Sequence, residues 1–298
     1  MRWNKGAIRL REEFAPRNGK IPMTMNSINT NTQSLIALQN LNTTNAQMSA
    51  VQKRVSTGYR VADARDDGGA FAVAQAVRSD VAGVIAVGEQ LGGVKGVLQT
   101  TFAALSVVSD TMKQIRAVLT RLADAAISSD QRTTYVKQYE LLTKQVGDFV
   151  DDATYNGRSL LSTGTATGGD ITAIRNEGGG TFTIQAVDGD TLKITTTAPA
   201  SATEAQGFIA SGGTFDTVDV ALSLALNRFG ASMSFVDSQI TYNSKKVDAM
   251  TEGLGALVDA DLAKESSSLE ALKVRQQLGI QTLGLANQGP QVLLGLFR

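Results

Sequence analysis

The chain has 298 residues, of which 42% are hydrophobic, so it is long enough for one large or two modest domains with buried cores. Its formal net charge is zero and it contains no His and no Cys, which argues against nucleic acid or acidic lipid as a partner and excludes disulfides, Cys/His zinc sites and His-dependent triads. Carboxylates, Lys and Tyr still permit acid–base chemistry, so composition disfavours an enzyme but does not exclude one.

Residues 1–22 differ in composition from the rest of the chain. They contain six basic and two acidic side chains, together with Trp3, the only tryptophan. We interpret this segment as a misassigned or disordered N-terminal extension, with Met23 or Met25 as the native first residue. The alternative, a basic targeting or membrane-binding arm, is disfavoured because its apolar residues form no helical stripe. The chain has no run of 18 uncharged apolar residues, so we expect no membrane insertion.

Residues 23–55 carry a loose apolar repeat on a segment rich in Asn, Gln, Ser and Thr. A helix of this kind is marginal on its own, so we predict an inner coiled-coil segment that gains its burial from a neighbouring subunit. The apolar positions expected to mediate that contact are Leu35, Leu38, Leu41, Met48 and Val51.

Residues 56–67 are predicted to be a linker that ends in a cluster of charged residues. Asp63, Asp66 and Asp67, with Arg65, could form a carboxylate pair for acid–base work or a cation site. Acids at the start of a helix explain the same residues without chemistry, because an Ala- and Val-rich run begins at Gly69. We therefore predict a helix start here.

Residues 68–161 carry two apolar stripes at alternating steps of three and four residues, which is the spacing of a coiled-coil face. No proline interrupts the chain between Met23 and Ala198, so long helices are permitted. We predict two helices of a rod domain. The first stripe comprises Leu105, Val108, Met112, Ile115, Leu119, Leu122 and Ala126, and the second comprises Tyr135, Tyr139, Leu142, Val146, Phe149 and Ala153.

Residues 162–218 change to a Gly-, Thr-, Ser- and Ala-rich composition in which helical spacing disappears. Phe182, Ile184 and Ala186 alternate with polar residues, and Leu192 and Ile194 do so again after Asp188-Gly189-Asp190. This pattern predicts a hairpin in a small β-rich insert that grows outward from the helices and is linked by mobile loops such as Gly178–Gly180. Calcium binding by Asp188 and Asp190 is the alternative to a simple turn, and we favour the turn.

Residues 219–257 repeat the coiled-coil spacing, so we predict that this helix and the two stripes of residues 68–161 bury one another in an antiparallel bundle. Asn243 is the one polar member of the seam, a type of residue that can set the register of paired helices. The seam comprises Phe229, Met233, Val236, Ile240, Asn243, Val247, Met250, Leu254 and Leu257.

Residues 258–298 return to the looser apolar pattern of the N-terminal segment. We predict a second inner coiled-coil segment there. Its expected contact positions are Leu262, Leu269, Leu272, Leu283, Leu293 and Leu294.

Four short segments resemble one protein family. They are STGYRV at Ser56–Val61, ARDD at Ala64–Asp67, YNGRSLL at Tyr155–Leu161, and ANQGPQ at Ala286–Gln291 with the terminal Leu-Phe-Arg. Residues 25–161 and 219–298 are similar to the bacterial flagellins. The resemblance implies a mainly α-helical rod built from both termini and a non-enzymatic, extracellular subunit that polymerises into the flagellar filament for swimming motility, without a cofactor or a catalytic or metal site.

The resemblance also implies partners. These are further flagellin copies, whose heterologous contacts make an open helical tube, the hook–filament junction and cap proteins, and an export chaperone and apparatus that act without a cleaved signal peptide. Three alternatives remain. The first is a hook-associated junction protein, and the second is a flagellin-like surface-binding protein in which the Ser/Thr-rich insert holds a ligand. The third is an enzyme embedded in the insert, although its zinc-protease form needs histidines that the chain lacks.

Overall fold

The computed structural model describes residues 30–162 and 168–296, with the side chains of residues 289–296 excepted. The proposed N-terminal extension at residues 1–22 lies outside this range. The chain divides into two compact units, one formed by the described residues up to Ala62 and from Ala260 onward, the other by residues 63–259. Each unit contains at least one pair of long helices.

The first unit consists of α1 (Thr32–Thr57) and α6 (Leu262–Leu296). The Asn31 side chain caps α1 by accepting a hydrogen bond from the Ser34 amide at 3.1 Å. Gly58, at φ +73°, ends α1 in the left-handed conformation that favours glycine, and its amide donates to the Arg54 carbonyl at 2.9 Å. A backbone hydrogen bond joins the two chain segments next to these helices: the Ala260 amide donates to the Gly58 carbonyl at 2.9 Å.

The second unit is built on α2 (Gly68–Leu122), α3 (Ser129–Asp151) and α5 (Thr214–Val258). Asp67 caps α2 by accepting a hydrogen bond from the Ala70 amide at 3.0 Å, so the predicted helix start is confirmed. In the turn before the helix, the Asp66 carboxylate accepts the Asp63 amide at 3.2 Å and the Asp63 carboxylate accepts the Arg65 amide at 2.8 Å. Ser128 and Gln131 form a capping box at the start of α3.

α2 is the central helix of this unit, because α3, α5 and the insert all pack against it. α2 and α5 run antiparallel: Lys95 pairs with Asp237 at 2.6 Å, and Arg116 pairs with Asp219 at 3.1 Å. Their apolar faces form the core. By length and composition alone, two helical stretches of the described residues, Gly68–Leu122 and Ala202–Val258, would suit a membrane. The mainly helical architecture predicted from spacing is confirmed.

The predicted rod stripes lie at these helix contacts. Two members lie beyond the helix ends: Ala126 follows α2, which is capped at Ala123, and is exposed, whereas Ala153 follows α3, which is capped at Asp152, and is buried. Members of the α5 seam beyond Val236 are half-buried, apart from Asn243, which is buried. Among the predicted core residues, Leu105, Val108, Met112, Ile115, Leu119, Phe229 and Val236 are buried, and Met233, Ile240, Val247 and Met250 are half-buried.

The insert contains a two-stranded antiparallel sheet, but its pairing differs from our prediction. β2 (Thr181–Ile184) pairs with the upstream β1 (Ile171–Ile174), and Gly179, at φ +79°, lies in the turn between them. The predicted strand at Leu192 and Ile194 is wrong, because the Asp188 carboxylate accepts the Asp190 amide and folds Gly189–Leu192 into a 3₁₀ turn. The insert also contains a short helix, α4 (Ala202–Ile209), that the alternation did not indicate.

The described part of the insert packs against the helices of its unit. Ala173, Ile184, Leu192 and Ala205 are buried in the same hydrophobic core as α2, α3 and α5. A hairpin of two four-residue strands is not stable alone, so this shared burial stabilises it. The described part of the insert and the helices of this unit therefore share one hydrophobic core.

Gly92 lies in the interior of α2, where a Cβ atom would meet no neighbour within 4 Å. We expect Gly92→Ala to raise the free energy of unfolding by about 0.5–1 kcal/mol, because alanine loses less backbone entropy in a helix. Urea unfolding of the monomer, followed by circular dichroism, measures this. Gly96→Ala should stabilise less, since its Cβ would lie 2.8 Å from Cζ of Tyr155 and the ring would have to move. Equal effects at the two positions would contradict the expectation.

Candidate functional site

α1 and α6 form an antiparallel pair whose register is set by polar contacts. The Asn31 side chain donates to the Ala286 carbonyl at 2.6 Å, and the Gln276 amide donates to Oδ1 of Asn45 at 2.8 Å. Near the other end, Arg54 pairs with Glu265 at 3.3 Å. The residue numbers of the contacting partners therefore increase along α1 while they decrease along α6, as in an antiparallel pair.

The apolar contact between these two helices is narrow. Val51 and Leu272, at 9% and 7% exposed, are the only buried side chains on the described parts of α1 and α6. Gly279 lets the helices approach, since a Cβ at this position would lie 3.2 Å from Cδ1 of Leu41. Because a two-helix pair covers one stripe on each helix, most of both surfaces stays open.

The structure separates the predicted contact positions into two groups. Along the pair, Leu41, Met48, Val51, Leu269, Leu272 and Leu283 are buried or half-buried. Leu35, Leu38 and Leu262 instead face solvent, with 58%, 43% and 49% of their surfaces exposed. The side chains of Leu293 and Leu294 lie outside the described residues. Within the subunit, the pair thus accounts for only part of the apolar repeat.

Sequence reasoning missed a larger exposed set, because it followed only one stripe on each helix. Ile36 on α1 and Leu278, Ile280 and Leu285 on α6 are 59%, 54%, 56% and 67% exposed. The signal that could have identified them is the absence of charged residues around them. From Thr32 to Gln52 and from Gln276 to Leu296 no residue is charged.

The pairing brings these two uncharged stretches together. Asn31 meets Ala286 and Asn45 meets Gln276, so the uncharged part of α1 lies against the uncharged part of α6. The charged ends, with Arg54 and Glu265, also lie together. One part of the pair is therefore free of charge on both helices while exposing several large apolar side chains, which is the character of a surface that another chain covers.

The candidate ion sites have structural roles. Asp190 and Asp151 both contact the Lys193 ammonium, at 3.1 Å and 2.6 Å, which ties the 3₁₀ turn to the end of α3. The hydrogen bond to Asp151, more than that to Asp190, raises the pKa of Lys193. Within residues 30–162 and 168–296, no three His, Cys, Asp or Glu side chains converge as metal ligands.

Two models of known protein families match most of the chain. The family model for the bacterial flagellin N-terminal helical region matches residues 28–166, and the model for the C-terminal helical region matches residues 216–297. The matched regions contain α1, α2, α3 and α6 and nearly all of α5.

Three named relatives are similar over most of their length. Flagellin FljM of Caulobacter vibrioides is 34% identical over 279 residues, which cover 93% of this chain and 100% of the relative. The flagellin of Brucella melitensis is 34% identical over 287 residues, with 92% and 100% covered. Flagellin C of Rhizobium meliloti is 28% identical over 323 residues, again with 92% and 100% covered.

Proposed function

The chain belongs to the bacterial flagellin family, and from that premise we propose that the α1–α6 pair is the segment through which it polymerises. Flagellins are structural proteins of the extracellular flagellar filament, so this chain is a filament subunit for motility and not an enzyme. The observation that carries the proposal is the uncharged part of the pair, with Leu35, Ile36 and Leu285 exposed.

The physical argument concerns burial. Covering a large apolar side chain gains about 1.5–3 kcal/mol, and several such side chains on a charge-free surface favour packing against further helices. Leu35, Ile36 and Leu285 stay exposed in the described part of the subunit, whereas repeated copies supply further helices. Heterologous contacts between identical copies give an open helical filament when the rotation from copy to copy does not close a ring.

Membership of the flagellin family also supports separate roles for the successive segments of the chain. We propose residues 23–55 and 258–298 as the inner coiled-coil layer, 56–67 as the linker, and 68–161 with 219–257 as the rod. The insert at 162–218 would be the variable part. The named assembly positions on α1 and α6 would then act between copies, and the core positions of α2 and α5 within one copy.

The more specific partners are proposed from membership of the family alone. We propose contacts with the hook–filament junction and cap proteins, and export through the flagellar apparatus with a chaperone and without a cleaved signal peptide. The uncharged stretch of α6 at residues 276–296, on which Leu278, Ile280 and Leu285 are exposed, suits a chaperone client, because such a surface is prone to aggregate before assembly.

Leu285→Lys tests the assembly surface. We expect the critical concentration for salt-induced polymerisation to rise by about tenfold or more, because the variant loses leucine burial and places a charge on the uncharged surface. Sedimentation of polymer across a concentration series measures it. Leu285 is 67% exposed in the subunit, so helical content and monomer stability should not change.

Ser267→Lys is the matched control. It adds the same side chain at an exposed position on the part of α6 that already carries Lys264 and Glu270. If Leu285→Lys and Ser267→Lys polymerised equally well, the uncharged surface would not be the assembly surface.

A further inference from the structure

Residues 171–184, here called the strap, comprise β1, β2 and the turn between them, and they cross the α2–α5 pair. On the side of α5, the rings of Phe182 and Phe235 meet edge to face with centroids 5.0 Å apart. On the side of α2, Gly83 leaves room for the strap, because a Cβ there would lie 3.1 Å from Cβ of Glu177. The strap therefore touches both helices.

Polar side chains of α5 hold the backbone of the strap. Gln239 and Asn243 both donate to the Arg175 carbonyl, at 3.0 Å and 3.3 Å, and Gln239 also donates to Oδ1 of Asn243. Asn243 is 3% exposed. The polar residue in the apolar seam is thus satisfied by the strap, and losing the strap would leave its buried amide without this acceptor.

An ion pair completes the contact. The Lys246 ammonium donates to the Glu177 carboxylate, and the two side chains are 27% and 26% exposed. This hydrogen bond lowers the pKa of Glu177 and raises the pKa of Lys246. Partial burial makes such a pair stronger than a fully solvated one.

The continuous core ends where the strap lies. On α2 it begins at Val87, and the only buried residue of α2 before Val84 is Ala74. On α5 the core reaches Val236, and beyond Asn243 only Val258 at the helix end is buried. Residues 68–82 and 247–258 therefore have few buried contacts with which to resist local opening.

We infer that the strap sets the limit of local unfolding in the free subunit: residues 68–82 of α2 and 247–258 of α5 open together, and opening stops at the strap. Opening beyond it would have to break the Phe182–Phe235 contact, the bonds to the Arg175 carbonyl and the Glu177–Lys246 pair at once. This property belongs to the monomer and is independent of polymerisation.

Hydrogen–deuterium exchange of the full-length monomer, read by peptide mass, tests the inference. In the unmodified chain, residues 68–82 and 247–258 should exchange at least about tenfold faster than residues 87–122. In the double variant Glu177→Gln with Phe182→Ala, which leaves both long helices unaltered, residues 84–98 and 229–243 should exchange about tenfold faster than in the unmodified chain. Uniform protection along α2 would overturn the inference.

The control neutralises one carboxylate and truncates one apolar side chain away from the strap. Asp110→Asn with Leu141→Ala loses an exposed ion pair and a side chain that is 67% exposed. Its exchange pattern should match the unmodified chain. The single variant Glu177→Gln should raise the exchange rate of residues 84–98 and 229–243 by a smaller factor. This variant provides the same test if the double variant folds poorly. Equal patterns for strap and control variants would also overturn the inference, while leaving the filament function untouched.

Discussion

A chain that ends at Ala260 is expected to stay monomeric under conditions in which the full chain forms filaments. Removing residues 261–298 deletes α6, so α1 loses the Asn45–Gln276 and Arg54–Glu265 contacts that order it. A lone helix without a partner is marginal in water, and the exposed apolar surface of α6 is lost as well. We expect complete loss of polymer.

Electron microscopy and sedimentation after seeding with flagellar fragments measure this result. The truncated chain should retain the circular dichroism and cooperative unfolding of its second unit, because the core of residues 87–236 uses no residue beyond Asp259. Filaments formed by the truncated chain would show that α6 is dispensable. An intact chain that never extends seeds would contradict its role as a filament subunit.

Phe229→Ala is expected to lower the free energy of unfolding of the monomer by about 3–5 kcal/mol, because the ring is fully buried and its removal leaves a cavity. Phe229 lies on the α5 seam within the core shared with α2. A loss of this size is a large fraction of the about 5–15 kcal/mol that stabilises a typical protein.

Urea unfolding followed by circular dichroism measures the change. Leu224→Ala on the same helix is the control, since Leu224 is 67% exposed and its truncation should alter stability by less than about 0.5 kcal/mol. Similar losses for the two variants would mean that the α5 seam is not the face that supports the fold.

Heptad spacing predicted the long helices well, because that pattern records a property of the chain itself. Leu105, Val108 and Met112 lie on one face of any helix they form, and burying that face requires a partner helix. The helix start at Asp67 was predictable for the same reason, since the capping carboxylate and the amide it accepts are three residues apart.

The insert was harder to predict, because its strands are short and partner choice depends on distant residues. Alternation at Phe182 and Ile184 identified β2 but could not say whether its partner lies upstream or downstream. β1 was selected because its turn at Arg175 bonds to Gln239 and Asn243 of α5. No local pattern contains that information.

The amino-acid sequence by itself determined the family, the helical rod and the location of both terminal helices, since motifs and apolar periodicity are properties of neighbouring residues. The tertiary structure alone decided which apolar side chains remain uncovered. Leu41 and Leu35 carry the same residue type on one helix, yet only Leu41 meets Gly279 of α6, while Leu35 is 58% exposed. Two paired helices can shield one stripe each, and which stripe they shield depends on a register that is set by contacts more than 200 residues apart, such as Asn45 with Gln276 at a separation of 231.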